Sequence, residues 1–320
     1  MQDNACVAKK KPLIVLTGPT AVGKTALSVK LAKALDAEII SADSMQVYKG
    51  MDIGSAKIRK EEMDGIRHHL IDILDPKEEF NVVLFQKLAK EAIADITGRG
   101  KIPILAGGTG FYIQAVLYDI DFTQTQEDTS YREALELLAV QNGAQYLHDM
   151  LRKVDPASAE AIHANNVKRV IRALEFYKQT KQKISDHNQE QKENESAYDS
   201  CYFVLTDDRE KMYERIDRRV DLMLEEGLVE EVRRLQSEGC SRELVSMQGL
   251  GYKEILAWLD GEHDLERAVY LIKRDTRHFA KRQLTWFKRE KDVIWVDRRE
   301  FKDENAVLQF MIDTWRNKRK

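Results

Sequence analysis

Three short β-rich runs punctuate the first third of the chain, Leu13–Thr17, Glu38–Ala42 and Ile102–Ala106, and the segments between them carry amphipathic, helix-spaced patterns. Ile102–Ala106 is apolar at every position, as expected of a strand covered on both faces. Strands alternating with helices predict a parallel sheet joined by crossover helices. From Tyr131 to about Ile184 the period becomes helical throughout, with helices expected over Arg132–Val140, Ala144–Val154 and Val167–Gln179. Ser185–Ser200, rich in Asn, Gln, Glu and Ser, has no apolar period and reads as an exposed loop or linker. A strand at Tyr202–Leu205 then returns, followed by helices over Met212–Glu226, Leu228–Glu238 and Leu265–Lys288, and a last strand, Val293–Val296, that can rejoin the sheet. The expected organisation is an α/β core over residues 1–120, a helical insertion with its loop over 121–200, and the rest of the core, ending in basic helices, over 201–320.

Composition narrows the classes. With 320 residues, 43% hydrophobic and 33% charged, the chain can bury a core, and disorder throughout is excluded. Cys6, Cys201 and Cys240 form no close pair, so neither a disulfide framework nor a Cys-rich zinc site is expected, and a reducing compartment fits. Behind Lys9, Lys10 and Lys11 the apolar run Leu13–Leu16 is too short for a signal peptide or membrane span. A soluble, cytoplasmic protein without membrane contact is the expectation. The net charge of −3 is unevenly spread: Arg267–Lys320 holds 16 Lys/Arg against 8 Asp/Glu, or +8, leaving −11 for the preceding chain. A basic end on an acidic body points toward a polyanionic partner.

The chemistry begins at Gly18-Pro19-Thr20-Ala21-Val22-Gly23-Lys24-Thr25, which matches G-x-x-x-x-G-K-[ST] between an apolar strand and the helix predicted at Ala26–Leu35. Such a loop curls its backbone N–H groups and the helix N-terminus around phosphate oxygens. Lys24 would add a point charge, and the Thr25 hydroxyl would hold Mg²⁺. A phosphorylated ligand follows, with ATP among the nucleotides such loops bind. Asp43 closes the second strand and is placed to act as a general base or to orient metal-bound water; an ordinary loop or capping acid is the plainer alternative. Gly107-Gly108-Thr109-Gly110 ends the next strand, and Thr109 offers a hydroxyl to a leaving phosphate oxygen. Because that strand ends in Gly-Gly-Thr and not in the Asp of a Walker B element, an ordinary ATPase is disfavoured. The adjacent His68-His69 pair has no third ligand nearby and reads as structural.

Together these motifs resemble the bacterial tRNA dimethylallyltransferase (tRNA isopentenyltransferase) family. The matching stretches are Gly18–Thr25, Ser41–Tyr48, Gly50–Lys57, His68–Asp72, Gly107–Tyr112, Val167–Glu175, Gly249–Glu254 and Arg277–Phe287, spread from about residue 12 to 298. The resemblance implies a P-loop α/β core with helices on both faces of a parallel sheet and a tRNA-facing helical insertion. It also implies Mg²⁺, dimethylallyl diphosphate as donor, and the adenosine 3′ of the anticodon as acceptor, held in a tRNA anticodon stem-loop. Asp43 then matches the general base and Thr109 the leaving-group contact. Asp43, Ser44, Met45 and Gln46 match the segment touching the target nucleotide. Arg132, Lys168, Arg169, Arg172, Lys281 and Arg282 become candidate tRNA contacts, and Arg215 and Arg219, one helical turn apart, candidate diphosphate contacts. The Cys/His zinc module of eukaryotic relatives is missing, so no zinc is expected, and a monomer suffices.

The residue types suit the reaction. An adenine amine is a poor nucleophile because its lone pair is delocalised, so the site must ionise an allylic electrophile and also remove the amine proton. Loop N–H groups, Lys24, Mg²⁺ and an arginine would stabilise the departing diphosphate, leaving Asp43 the proton. A P-loop kinase for a small metabolite and an isopentenyltransferase acting on free adenylate use similar loops. The insertion and the basic C-terminal helix argue against both, and no base-reading Asn-Lys-x-Asp element supports a GTPase-like module.

Overall fold

A computed structural model of the chain describes residues 10–122 and 130–319; Cys6 and Lys9 lie outside that range. The chain divides into two compact units, Met1–Leu117 with Ala197–Lys320, and Tyr118–Ser196. In the first, β1 (Lys11–Thr17), α1 (Lys24–Leu35), β2 (Ala37–Ala42), α2 (Lys60–Met63), β3 (His68–His69), α3 (Val82–Gly98), β4 (Ile102–Gly107) and α4 (Gly110–Leu117) precede the excursion into the second unit. That unit holds α5 (Ser130–Asn142), α6 (Ala144–Val154), α7 (Pro156–Ala161), α8 (Val167–Thr180) and α9 (Ile184–Glu193). Returning to the first, the chain forms β5 (Tyr198–Thr206), α10 (Arg209–Glu225), α11 (Leu228–Ser237), α12 (Tyr252–Leu259), α13 (Leu265–Phe287), β6 (Val293–Asp297) and α14 (Glu304–Asn317). The excursion leaves and re-enters at one point, where Ala197 N–H donates to Leu117 C=O at 2.8 Å. No described helix is long and apolar enough to cross a membrane.

All six strands pair in parallel, in the order β3-β2-β4-β1-β5-β6. Leu13, Ile14, Val15 and Leu16 are fully buried, which explains their uninterrupted apolar character: alternate residues face opposite layers, and both layers are covered. Ile14, Leu16, Ile104, Phe203 and Leu205 pack with Leu27 and Leu31 of α1 and Met311 and Trp315 of α14. The strand predicted at Val293–Val296 does rejoin the sheet, pairing with β5 from Tyr202↔Val293 to Thr206↔Asp297. His68-His69 forms a two-residue edge strand that the polar sequence did not announce. His69 Nε2 meets Glu38 Oε2 at 2.8 Å, and His68 Nδ1 meets the Ile66 carbonyl at 2.9 Å, the structural role expected of the pair.

Within the helical unit, Leu135, Leu147, Leu151, Val170, Ile171 and Leu174 form the core. The expected loop at Ser185–Ser200 is corrected here: Ile184–Glu193 is helical, and Tyr198–Ser200 already belongs to β5. Polar contacts hold α9 where an apolar stripe would ordinarily do so. Asp155, 1% exposed, accepts from Ser158 N–H (3.0 Å) and Oγ (2.6 Å) and from Ser185 N–H (3.0 Å) and Oγ (2.7 Å). Burial alone would raise its pKa, but these four donors outweigh it and hold the carboxyl below the usual range.

Candidate active site

In a wholly parallel sheet the carboxyl ends of the strands lie along one edge, and ligands bind where the connections diverge. The register is specific about which residues meet there. Thr17 and Ala42 both pair with Gly107, so the next residues of β1, β2 and β4, namely Gly18, Asp43 and Gly108, emerge side by side. Thr17 Oγ donates to Gly107 C=O at 2.7 Å, and Thr109 N–H donates to Ala42 C=O at 3.2 Å. The two residues predicted to carry the chemistry, Asp43 and Thr109, are thus stitched to adjacent strand ends.

The phosphate loop Gly18–Thr25 runs from β1 into α1. Gly23 caps the helix at φ 96°, a left-handed conformation that other residues adopt at a cost, and Ala21 stands at φ 61°. Lys24 Nζ donates to Gly18 C=O (2.9 Å) and Pro19 C=O (2.8 Å). Burial, reinforced by the positive charge of Arg219 and opposed by Asp43, brings the Lys24 pKa down to about 7. Asp43 accepts from the N–H groups of Met45 (2.8 Å) and Gln46 (3.4 Å). Burial pushes its carboxyl up, against those two N–H groups and Lys24. The loop lysine and the carboxylate thus lie within electrostatic reach of one another, the carboxylate more basic than an ordinary aspartate.

The lowered Lys24 pKa has a measurable sign. In the unfolded chain the group titrates near 10.5 and in the folded one near 7, so the destabilisation from holding its charge is fully present below pH 7 and is relieved as pH rises from 7 toward 10.5. Lys24→Met is therefore expected to melt higher than wild type near pH 6, with the advantage shrinking by pH 9. Calorimetry at the two pH values checks this; a variant that melts lower at both would contradict it.

Gln283 on α13 lies within the matched stretch Arg277–Phe287 but carries no predicted role there, and it joins the two phosphate-side loops. It is 6% exposed; its Oε1 accepts from Thr20 N–H at 2.8 Å and its Nε2 donates to Gly108 C=O at 2.9 Å. A Cβ on Gly108 would lie 2.2 Å from that Nε2, and one on Gly110 would lie 2.3 Å from the Trp286 ring. The glycines after β4 are therefore required by the approach of α13. Phe287 is fully buried and Trp286 stands edge-on to Phe111, so these two aromatics pack against protein.

The charged residues separate by their partners. Arg215 donates to Asp207 at 2.7 Å, whereas Arg219, on the same helix, is exposed and close enough to Lys24 to depress its pKa. Arg298, which sequence reasoning passed over, donates to Val22 C=O at 2.9 Å and so supports the phosphate loop from below. Along α13, Lys273, Arg274 and Arg277 are paired with Asp221, Asp275 and Asp217. Among the described residues Lys281 and Arg282 have no acidic partner; both are exposed, Arg282 lying over Phe279. Lys168, Arg169 and Arg172 are likewise exposed, on the side of α8 opposite buried Val170, Ile171, Ala173 and Leu174. Arg132 differs: both ends of its guanidinium lie 3.0 Å from buried Glu175. A cavity of about 430 Å³ lined by Lys211, Arg215, Arg298 and Arg299 contains none of Lys24, Asp43 and Thr109, and acids neutralise most of its cations.

Thr25, the second residue of α1, is exposed and its hydroxyl has no protein partner among the described residues. No cluster of three or more His, Cys, Asp or Glu able to hold a metal occurs among the described residues. A phosphate-loop Ser or Thr hydroxyl is a ligand such loops offer to Mg²⁺, with substrate phosphates and water completing its shell, so the Thr25 hydroxyl fits that ion and not a caged metal.

The IPP transferase family model matches residues 46–290, beginning just after Asp43. A tRNA dimethylallyltransferase of Lachnoclostridium phytofermentans is 62% identical over 302 residues, covering 94% of this chain and 96% of that protein. Among solved structures, the full-length tRNA isopentenylpyrophosphate transferase of Bacillus halodurans is 46% identical with a TM-score of 0.73, covering 97% of this chain and 98% of its own. A eukaryotic dimethylallyltransferase acting on tRNA is 35% identical with a TM-score of 0.79, covering 90% of this chain and 74% of its own. On both its sequence and its fold, the chain belongs to the IPP transferase family.

Proposed function

We propose that the chain transfers the dimethylallyl group of dimethylallyl diphosphate to the exocyclic amine of the adenosine 3′ of a tRNA anticodon, releasing diphosphate, as a cytoplasmic monomer. The observation that carries this is the meeting of Asp43, Thr109 and Lys24 at one edge of the sheet, in a chain whose relatives bear that activity in their names. The allylic C–O bond breaks with its electron pair leaving on diphosphate, the amine lone pair forms the new C–N bond, and the amine proton passes to Asp43. The N–H groups of Gly18–Thr25, Lys24 and Arg219 take up charge developing on phosphate oxygens, and Thr109 donates to the leaving oxygen. Arg215, already engaged by Asp207, is the lesser of the two diphosphate arginines. Mg²⁺, held by the Thr25 hydroxyl, would neutralise further phosphate charge. A raised pKa makes Asp43 a stronger base than an ordinary aspartate.

The acceptor requires an RNA surface. Asp43, Ser44, Met45 and Gln46 border the target nucleotide, and Lys281 and Arg282 meet backbone phosphates, as do Lys168, Arg169 and Arg172. Arg132, being tied to Glu175, contributes shape more than charge. Replacing Lys281 and Arg282 together by Ala is expected to weaken tRNA binding for every sequence and to reduce the log–log salt slope by about 1.5, two lost phosphate contacts at roughly 0.7–0.9 each. Filter binding across salt concentrations checks this, and an unchanged slope would move the RNA elsewhere. The reaction itself is tested by incubating the protein with radiolabelled dimethylallyl diphosphate and either tRNA or AMP, and separately with ATP and small-molecule acceptors. Label in tRNA alone supports the proposal. Label in AMP would indicate an adenylate enzyme, and phosphoryl transfer from ATP a kinase.

A further inference from the structure

Glu231, on α11, takes no part in the chemistry above, yet its carboxylate is the most heavily hydrogen-bonded group near the acceptor segment. It is 7% exposed. Oε2 accepts from the N–H groups of Asp52 and Ile53, both at 2.9 Å, and Oε1 from Gly54 N–H at 3.1 Å and the Tyr252 hydroxyl at 2.7 Å. Three successive backbone N–H groups converging on one carboxylate form an anion nest occupied by the protein's own side chain. Both oxygens are saturated with donors, so the loop after Gly50 is held by a group far away in sequence. That loop reaches the acceptor segment directly. Gln46 Nε2 donates to Ala56 C=O at 3.4 Å, Lys57 Nζ donates to Tyr48 C=O at 2.6 Å, and Gln46 N–H is itself bound to Asp43. Met45 packs on Gly249, at the start of the turn leading into α12, and Tyr252 lies over Gly54.

Two buried polar side chains thus divide the site. Gln283 holds the phosphate side, through Thr20 and Gly108, and Glu231 holds the Gln46 side. We propose that Glu231 is a positioning residue for the acceptor nucleotide: it fixes the loop Asp52–Lys57 against Gln46 and thereby sets the Asp43–Gln46 turn that meets the base. This rests on the reading of function given above. The Tyr252 hydroxyl, buried and bound to a carboxylate, has its pKa pushed well up and so remains a donor across neutral pH.

The test compares Glu231→Gln and Tyr252→Phe with wild type, measuring transfer as a function of tRNA and of dimethylallyl diphosphate separately. In the Gln variant one oxygen becomes an NH₂ facing N–H or O–H donors. A misplaced acceptor turn is expected to lower kcat/KM for tRNA on the order of 10²-fold, while KM for dimethylallyl diphosphate stays within about twofold of wild type. Tyr252→Phe removes one donor of four, leaves the three amides in place and should show the same split to a smaller extent; it decides the matter if Glu231→Gln does not fold. Unchanged transfer in both folded variants, or a donor KM that rises in step with the tRNA effect, overturns the assignment while the wild-type reaction stands. A wild-type chain that transfers nothing to tRNA overturns the reading of function and the assignment together.

Discussion

Asp43→Asn is expected to slow transfer about 10²- to 10⁴-fold, the usual contribution of a positioned general base, with dimethylallyl diphosphate binding and melting temperature close to wild type. The asparagine keeps the shape of the side chain and an oxygen able to accept from Met45 and Gln46 N–H, so the turn survives, but it cannot take the amine proton. Asp43→Ala should be similarly slow, because proton acceptance is what both variants lose. Burial raises the Asp43 pKa, so activity in wild type should fall on acidification at a higher pH than an ordinary aspartate would give, and this limb should be missing in the residual activity of the Asn variant. Single-turnover transfer with both substrates saturating isolates the chemical step from tRNA affinity. A near wild-type rate for the Asn variant would make Asp43 a capping residue and require another base.

Lys24→Ala should weaken dimethylallyl diphosphate binding and slow transfer by more than the loss of binding. The ammonium is recessed, already stripped of much of its water and directed at the loop's own Gly18 and Pro19 carbonyls, so a diphosphate oxygen in the loop replaces poor partners with a charge-assisted one. Charge-assisted hydrogen bonds in such surroundings contribute about 1.5–3 kcal/mol each, or roughly 10- to 100-fold in donor affinity before any effect on the leaving group. Because the charge on diphosphate grows as the allylic bond breaks, kcat should fall further than binding does. Isothermal titration with dimethylallyl diphosphate, paired with transfer rates, measures the two losses; unchanged donor affinity would remove Lys24 from the phosphate site.

What could be read in advance was the chemistry carried by contiguous residues. The phosphate loop, Asp43 and Gly107–Gly110 each sit at the end of an apolar run, and a parallel sheet brings strand ends to one edge whichever order the strands take. Strand order itself has no local signature, since β4 enters between β1 and β2 by way of α3. Gln283 and Glu231 escaped notice for a similar reason: the groups they bind lie 175 to 263 residues away for Gln283 and, for the loop amides of Glu231, 177 to 179. α9 carries no apolar period because, beyond Ile184 on the core, it is anchored by Ser185 on the buried carboxylate of Asp155, and side-chain hydrogen bonding of that kind leaves no hydrophobic pattern. Charge was legible as a sum and not as a surface. Half of the basic run on α13 is neutralised by acids of α10 and by Asp275, which leaves Lys281 and Arg282 exposed and, among the described residues, without an acidic partner.

The central claim concerns where the isoprenoid goes, and the most direct measurement is nucleoside analysis by mass spectrometry of a tRNA anticodon stem-loop after incubation with the protein and dimethylallyl diphosphate. The account predicts a single dimethylallyl group on the exocyclic nitrogen of the adenosine immediately 3′ of the anticodon, and none when that adenosine is replaced by guanosine. Modification of any other nucleotide, or an unmodified stem-loop under conditions where the donor is bound, would contradict it.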